Sequence, residues 1–408
     1  MPIKMVADRL QTAFWHWGWL LPTVLPLAQL GGRALYTVLI SLYALWGLPC
    51  LWQRRDRLDR VTTTLYLALL GVILIGIPGS IDPESGFRVW GQFAVQTSTL
   101  LLMQAALHES PTHLDRLLKA LALSGLLTLV GVYLLLLYHW LEIAGQPFDP
   151  SLQLREDNLP FLLPFLLYWL WRQNELRWRF AAMAGLSGVV LAYIVIAEGR
   201  AALLGLSIGL MVFFWLALNW RLRWIALLAA LALIAGIASY IEPFQKAELD
   251  PERPLNAFTK GRSILWRQAL EHPPARPWLG VGIGNEAYAT EVLSFTIGGY
   301  PVQVKHLHNF LLDAWYETGI LGVSLLLALI GTGLIRLARS WRRLSGNDRQ
   351  RAGILLAAAL ALMTAGLLSF SYTSRQLACY LFLCLGGLSG LMSGTTPSAS
   401  VDTDPDRH

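Results

Sequence analysis

Charge is scarce in this chain. Asp, Glu, Lys and Arg make up 14% of its 408 residues, against about 25% in soluble domains, which argues against a water-soluble globular body. Cysteine is scarcer still. Cys50, Cys379 and Cys384 each sit in or beside an apolar run, and their spacing fits neither a disulfide framework nor a zinc site. Small buried apolar residues is the reading they support. A cleavable signal is not expected either, because Met1 to Gln11 is short and amphipathic and leads straight into an apolar segment.

What the chain has instead is apolar sequence, 55% of its residues, with 17 tryptophans and a mean hydropathy of +0.49. It falls into runs of roughly 20 residues, the length that crosses ~30 Å of hydrocarbon. Twelve spans are expected, at 13–29, 34–52, 62–79, 89–107, 117–141, 159–171, 180–197, 201–218, 224–241, 307–335, 352–370 and 377–392. The run 159–171 is short and holds Pro160 and Pro164, as a broken or deeply embedded segment would. The run 307–335 is long enough to tilt or to project its first turns.

Lys and Arg gather in alternate loops: Lys4 and Arg9, then Arg54, Arg55, Arg57 and Arg60, then Arg116 and Lys119. The pattern continues through Arg172, Arg177 and Arg179, Arg221 and Arg223, Arg336 to Arg351, and Arg407. The opposite short loops hold only Arg33, Arg88, Arg155, Arg200 and Arg375. Positive residues mark the cytoplasmic side, so both termini are expected there. The net charge of +6 then reflects topology, and nucleic acid is not an expected partner.

One loop breaks the alternation. Residues 242–305 form a segment of more than sixty residues on the opposite, exoplasmic side, and loops this long are functional or disordered. Phe244, Phe258, Trp266, Trp278 and Tyr288, with helical spacing through 263–270, point to an ordered one. Residues after Met392 read as a disordered tail.

Within this layout the ionisable groups on the exoplasmic side are the candidates for chemistry. Arg200 sits in Ala197-Glu198-Gly199-Arg200, a turn between two long spans. It is either an interfacial arginine paired with Glu198 or an anion clamp, since guanidinium binds phosphate bidentately. Arg262 follows Lys260 and Gly261 and opens an amphipathic segment with Trp266. It is either a solvated loop cation or part of a phosphate site at a helix N-terminus. Arg155, Arg375 and Lys305 are weaker candidates of the same kind. Gly280-Val281-Gly282-Ile283-Gly284-Asn285 lacks the βαβ setting of a nucleotide loop, so a tight turn with backbone packed on backbone is expected.

Residues 304–322 leave this loop through His306 and His308 and enter an apolar helix that still carries Asp313 and Glu317. On a helix, histidines two apart point to different faces, and no third ligand completes a metal set, so no metal is expected. His308 is the candidate general base, sharing a helical face with Leu312, Trp315, Gly319 and Gly322. Asp313 and Glu317 are expected to bond neighbouring helices.

His308-Asn309, nine residues, then Gly319-Ile320-Leu321-Gly322 resembles the pattern of the bacterial O-antigen ligases, polytopic inner-membrane glycosyltransferases. Glu271-His272-Pro273 with 278–282, Gly199-Arg200 at the head of a span, and Gly261-Arg262 with Trp266 resemble further segments of that family. In this chain Gly199 stands where the family often has Ser.

The resemblance implies an all-α, polytopic integral membrane protein, GT-C-like, with a large, partly helical periplasmic loop. Nine transmembrane helices would occupy 1–241, the loop 242–305, three more helices 306–393, and a cytoplasmic tail 394–408. It implies His308 as essential histidine and Arg200 and Arg262 as essential arginines; Lys260, Trp266, Asn309, Arg155, Arg375 and His306 are expected, from their place beside these residues or on the same side, as further substrate-binding positions. The implied donor is O-antigen on undecaprenyl diphosphate, the acceptor is lipid A–core, and no cofactor is expected. An O-antigen polymerase or a protein O-oligosaccharyltransferase would use the same donor, and a lipid flippase would share the span count.

Overall fold

The computed structural model describes residues 3–110, 112–142, 159–173, 178–197, 199–217, 224, 262–285, 295–297, 300–302 and 306–393. Its helices are α1 (Ile3–His16), α2 (Leu25–Ala28), α3 (Arg33–Trp52), α4 (Arg60–Gly76), α5 (Pro83–Thr97), α6 (Thr99–Glu109) and α7 (Thr112–Glu142). They continue as α8 (Leu159–Trp171), α9 (Arg179–Ile196), α10 (Arg200–Ala217), α11 (Arg262–Glu271), α12 (Phe310–Ser340), α13 (Gly346–Gly366) and α14 (Phe382–Ser393). Five helices among the described residues are long and apolar enough to cross a membrane: Arg33–Trp52, Arg60–Gly79, Thr112–Tyr138, Arg179–Ile196 and Phe310–Ser340. The protein is thus an all-α polytopic membrane protein, and the strands among the described residues form one short antiparallel hairpin, β1 (Phe295–Ile297) with β2 (Tyr300–Val302).

Several expected spans are not single helices. The run 13–29 is α1, a 3-10 segment over Gly18–Val24 and the one-turn α2, because Pro22 and Pro26 lack the N–H that a continuous helix needs. The run 89–107 is divided at Ser98 between α5 and α6. The expected span 224–241, the loop residues 242–261 and the tail 394–408 lie outside the described residues, apart from Trp224.

The centre of the bundle is built on α8, α6 and α14. Every residue from Leu159 to Tyr168 in α8 is buried, which lets a helix of only about 20 Å, interrupted by Pro164, sit inside protein where neighbours shield its backbone. Small residues bring the others together. On α14, a Cβ on Gly386 would fall 2.3 Å from the Leu100 carbonyl oxygen of α6, and one on Gly390 would fall 2.9 Å from Leu107. Gln104 donates its amide N–H to Ser389 across the same contact at 3.1 Å.

Helices α10 and α13 run antiparallel, with Gly205 against Ala361 and Ala365 and Gly209 against Ala361. Side-chain caps start several helices: Asp59 accepts Thr62 N–H at 2.8 Å, Asp82 accepts Ser85 N–H at 3.0 Å, and Ser345 accepts Asp348 N–H at 3.1 Å.

The two ends of the bundle differ in their bonding. At one end Arg336 pairs with Asp59, and Arg351 binds Asp115, its Nε reaching Oδ1 at 3.0 Å. Arg172 lies 3.7 Å from the same Asp115. The loops expected on one side of a membrane therefore do meet. The other end collects the segments 76–83, 262–285, 306–310 and 367–376, and it carries the candidate site.

Candidate active site

The site end is organised by a break in α12. Gly319 leaves the helix with φ 67° and ψ −169°, in the positive-φ region that glycine tolerates. Into this break docks the loop 276–285. Val281 N–H donates to Tyr316 O at 3.0 Å, Gly282 N–H to Glu317 O at 2.9 Å, and Ile320 N–H to Pro277 O at 2.9 Å. The approach is so close that a Cβ on Gly319 would lie 2.3 Å from the Trp278 carbonyl carbon, and one on Gly280 would lie 2.3 Å from that of Glu317. The glycine-rich loop is thus a backbone-on-backbone dock. The break also leaves about 30 Å of continuous helix from Ile320 to Ser340, which accounts for the extra length of the run 307–335.

The two carboxyl groups of α12 bond the site together. Glu317 accepts the Asn285 N–H at 3.1 Å and the Tyr372 hydroxyl at 2.8 Å. Asn285 in turn accepts the Asp82 N–H at 2.8 Å. Asp313, fully buried, accepts the Leu307 N–H at 2.7 Å. Nothing in the sequence pattern marks Asn285 as a partner of Glu317, because no motif spans that separation.

His308 is not on a helical face, contrary to the sequence expectation. Asn309 is the N-cap of α12, its side chain accepting the Leu311 and Leu312 N–H groups at 3.1 and 3.2 Å, so the helix starts after His308. His308 itself adopts φ 54°, the only non-glycine residue with positive φ among the described residues. Nor do the two histidines point apart: their ring centroids are 3.9 Å apart. The His308 N–H donates to His306 Nδ1 at 3.2 Å, which puts the proton of neutral His306 on Nε2.

Arg262 opens α11, the helix expected from the spacing of 263–270, and its guanidinium donates to the Leu368 carbonyl just beyond α13. One turn on, the Trp266 indole N–H donates to Leu307 O at 2.8 Å. Leu265 and Ala269 pack with Leu307 and Tyr316 in a small apolar cluster of their own, which seats α11 on α12. Arg200 heads α10. The antiparallel pairing with α13 continues about 7.5 Å beyond Gly205, which brings Arg200 level with the residues following Gly366. The Phe310 ring lies against Gly366, 3.2 Å from where its Cβ would be. Arg200, Arg262 and His308 therefore share the end of the bundle where α13 finishes.

Arg375 lies on the same end but in other company, its guanidinium over the Tyr36 ring and its carbonyl accepting the Tyr36 hydroxyl at 2.9 Å. Burial, with the neighbouring Arg33 charge, brings the Arg375 guanidinium below its ordinary value. Lys260, Arg155 and Lys305 lie outside the described residues. Among the described residues no group of three His, Cys, Asp or Glu side chains is placed to hold a metal ion.

Residues 189–327, from α9 through the break in α12, match a family model described as O-Antigen ligase. A curated O-antigen ligase from Salmonella typhimurium (strain LT2) is 30% identical over 216 residues, 49% of this chain and 50% of that protein. The chain thus spans about half the length of the curated relative it matches.

Proposed function

We propose that this chain, whose residues 189–327 match the O-antigen ligase family, is a membrane glycosyltransferase that joins O-antigen polysaccharide to lipid A–core. The donor is the glycan on undecaprenyl diphosphate, and the acceptor is a sugar hydroxyl of the core. The enzyme resides in the bacterial inner membrane with both termini cytoplasmic and the site end facing the periplasm.

The observation that supports this reading is the meeting of the Arg262 helix with the His308 turn, at the end of the bundle where the helix headed by Arg200 begins. Arg262 is held on Leu368, and its helix is tied through Trp266 to Leu307, the residue before His308. The acceptor oxygen attacks the anomeric carbon as the bond from that carbon to the diphosphate breaks. His308 takes the hydroxyl proton, the lipid diphosphate departs with the bonding pair, and the anomeric centre inverts. Arg200 and Arg262 stabilise the charge that grows on the leaving diphosphate, the place where fixed cations contribute most. With that charge met by side chains, the step runs without a metal ion. Lys260 and Arg155 are further contacts for the donor, and Asn309 holds the start of α12.

His308→Ala tests the reading in a deletion strain complemented with the variant. Protein in the membrane at normal level, with lipid-linked polymer accumulating and no polysaccharide on lipid A–core, is the expected result. Normal ligation by His308→Ala would overturn the base assignment. Loss of chain length with single units still capping the core would instead indicate a polymerase. Conversion of donor and acceptor by purified protein without a gradient distinguishes an enzyme from a flippase.

A further inference from the structure

The residue preceding His308 is gripped at both backbone groups by side chains from two different helices. Leu307 N–H donates to Asp313 Oδ1 at 2.7 Å, from the first turn of α12. Leu307 O accepts the Trp266 indole N–H at 2.8 Å, from α11. Leu307 is itself buried and so is Asp313, with 2% and 0% of their surfaces exposed. Neither bond belongs to regular secondary structure, so both depend on these particular side chains.

The consequence falls on two neighbours. His308 sits at φ 54°, a conformation that costs a histidine free energy and persists only where the surroundings over-determine it. The Asp313 bond before it and the Asn309 cap after it are those surroundings. Trp266 lies four residues after Arg262 on the same face of α11, so a fixed Trp266 also fixes Arg262 relative to Leu307.

We propose that Asp313 and Trp266 are positioning residues: by holding the two backbone groups of Leu307 they keep the His308 turn and the Arg262 helix in one register. This rests on the roles proposed above for His308 and Arg262. It moves Trp266 from the substrate-binding part that the sequence suggested to a part played through the backbone. The purpose of such a clamp follows from the reaction, in which proton removal and leaving-group stabilisation occur on opposite sides of one anomeric carbon. A shift of about 1 Å between such groups can cost around a hundredfold in rate.

The test is steady-state kinetics of the purified full chain with lipid-diphosphate-linked glycan and lipid A–core. The variants are Asp313→Ala, Asp313→Asn, Trp266→Phe and the double variant Asp313→Ala with Trp266→Phe. Asn retains an oxygen that accepts the Leu307 N–H, and Phe retains the ring without its donor. Asp313→Ala and Trp266→Phe are expected to lower kcat about tenfold or more, with KM for both substrates within about twofold. Asp313→Asn is expected to recover most of the loss, and the double variant to lose less than the product of the single losses. Full kcat in Trp266→Phe, a loss in Asp313→Asn equal to that in Asp313→Ala, or a rise in KM at constant kcat would each overturn the clamp. Should Asp313→Ala not fold, Trp266→Phe and Asp313→Asn decide the question. His308→Ala and Arg262→Ala in the same assay separate the two ideas. Activity in either breaks the reading of the site, whereas inactivity there with full kcat in Trp266→Phe breaks the clamp alone.

Discussion

The Glu317 carboxyl accepts the Tyr372 hydroxyl at 2.8 Å while its other oxygen accepts the Asn285 N–H at 3.1 Å. One side chain thereby ties α12 both to the docked loop 276–285 and to the segment 367–376, whose Leu368 carbonyl receives Arg262. Removing it with Glu317→Ala leaves a buried N–H and a buried hydroxyl to find other partners, a cost of about 1–3 kcal/mol each. Tyr372→Phe removes one bond and no charge, and about 1 kcal/mol is expected. Thermal unfolding in detergent should rank the two variants in that order. Equal melting temperatures for wild type and Glu317→Ala would contradict the tie.

Gly319→Ala is expected to be worse than its size suggests. A Cβ at that position meets the Trp278 carbonyl at 2.3–2.4 Å, and a positive φ of 67° adds strain. The backbone conformation, a region almost confined to glycine, alone costs about 1–3 kcal/mol in a residue with a Cβ, and the clash is with backbone, which cannot rotate away. The expected outcome is release of the docked loop, seen as new protease cleavage within 276–285, together with loss of ligation. Gly331→Ala makes the control, since a Cβ there meets nothing within 4 Å.

How much of this was legible in the sequence differs by element. The membrane class and the two-ended charge pattern follow from run length and from arginine placement, which are local and additive signals. Asn309 is a favoured N-cap residue ahead of an apolar run, but the helix was expected to begin before it, at 307. That the glycine loop 280–285 packs backbone on backbone was legible; its partner, the break at Gly319, was not, because the pairing joins backbone groups that leave no periodicity behind. The Gly319 break itself was hidden inside an unbroken apolar run. His308 misled for a related reason: a histidine gives no hint of positive φ, so a helical face was assumed. The division of 13–29 was signalled by Pro22 and Pro26, and hydropathy outweighed that signal.

At the opposite end, Asp59 is expected to link stability to pH. Burial by itself would raise its carboxyl, but hydrogen bonds from Arg336 and Thr62, with the Arg336 charge, outweigh burial and hold it below its ordinary value. A depressed folded value means the stabilisation is fully present above the unfolded value of about 3.9. It is lost as pH falls through the lower folded value. Asp59→Asn should therefore lower stability at pH 7 by on the order of 1 kcal/mol, seen as a lower melting temperature. It should bring little change at the acid end, where wild type has lost the same interaction. A difference that grows toward low pH would have the wrong sign.

Arg262→Lys tests whether direction matters as well as charge. The guanidinium is oriented by its bond to the Leu368 carbonyl, and a lysine ammonium is a point charge on a flexible stem that cannot reproduce that fixed plane. If Arg262 stabilises the departing diphosphate, restoring the charge without its aim should leave kcat low, by roughly 100-fold. Arg262→Ala is expected to lose at least as much. Electrostatic attraction of the donor survives in the lysine variant, so its KM should stay near that of wild type while that of Arg262→Ala rises. Wild-type kcat in Arg262→Lys would mean that a positive charge suffices here, and that the Leu368 bond serves the fold rather than the transition state.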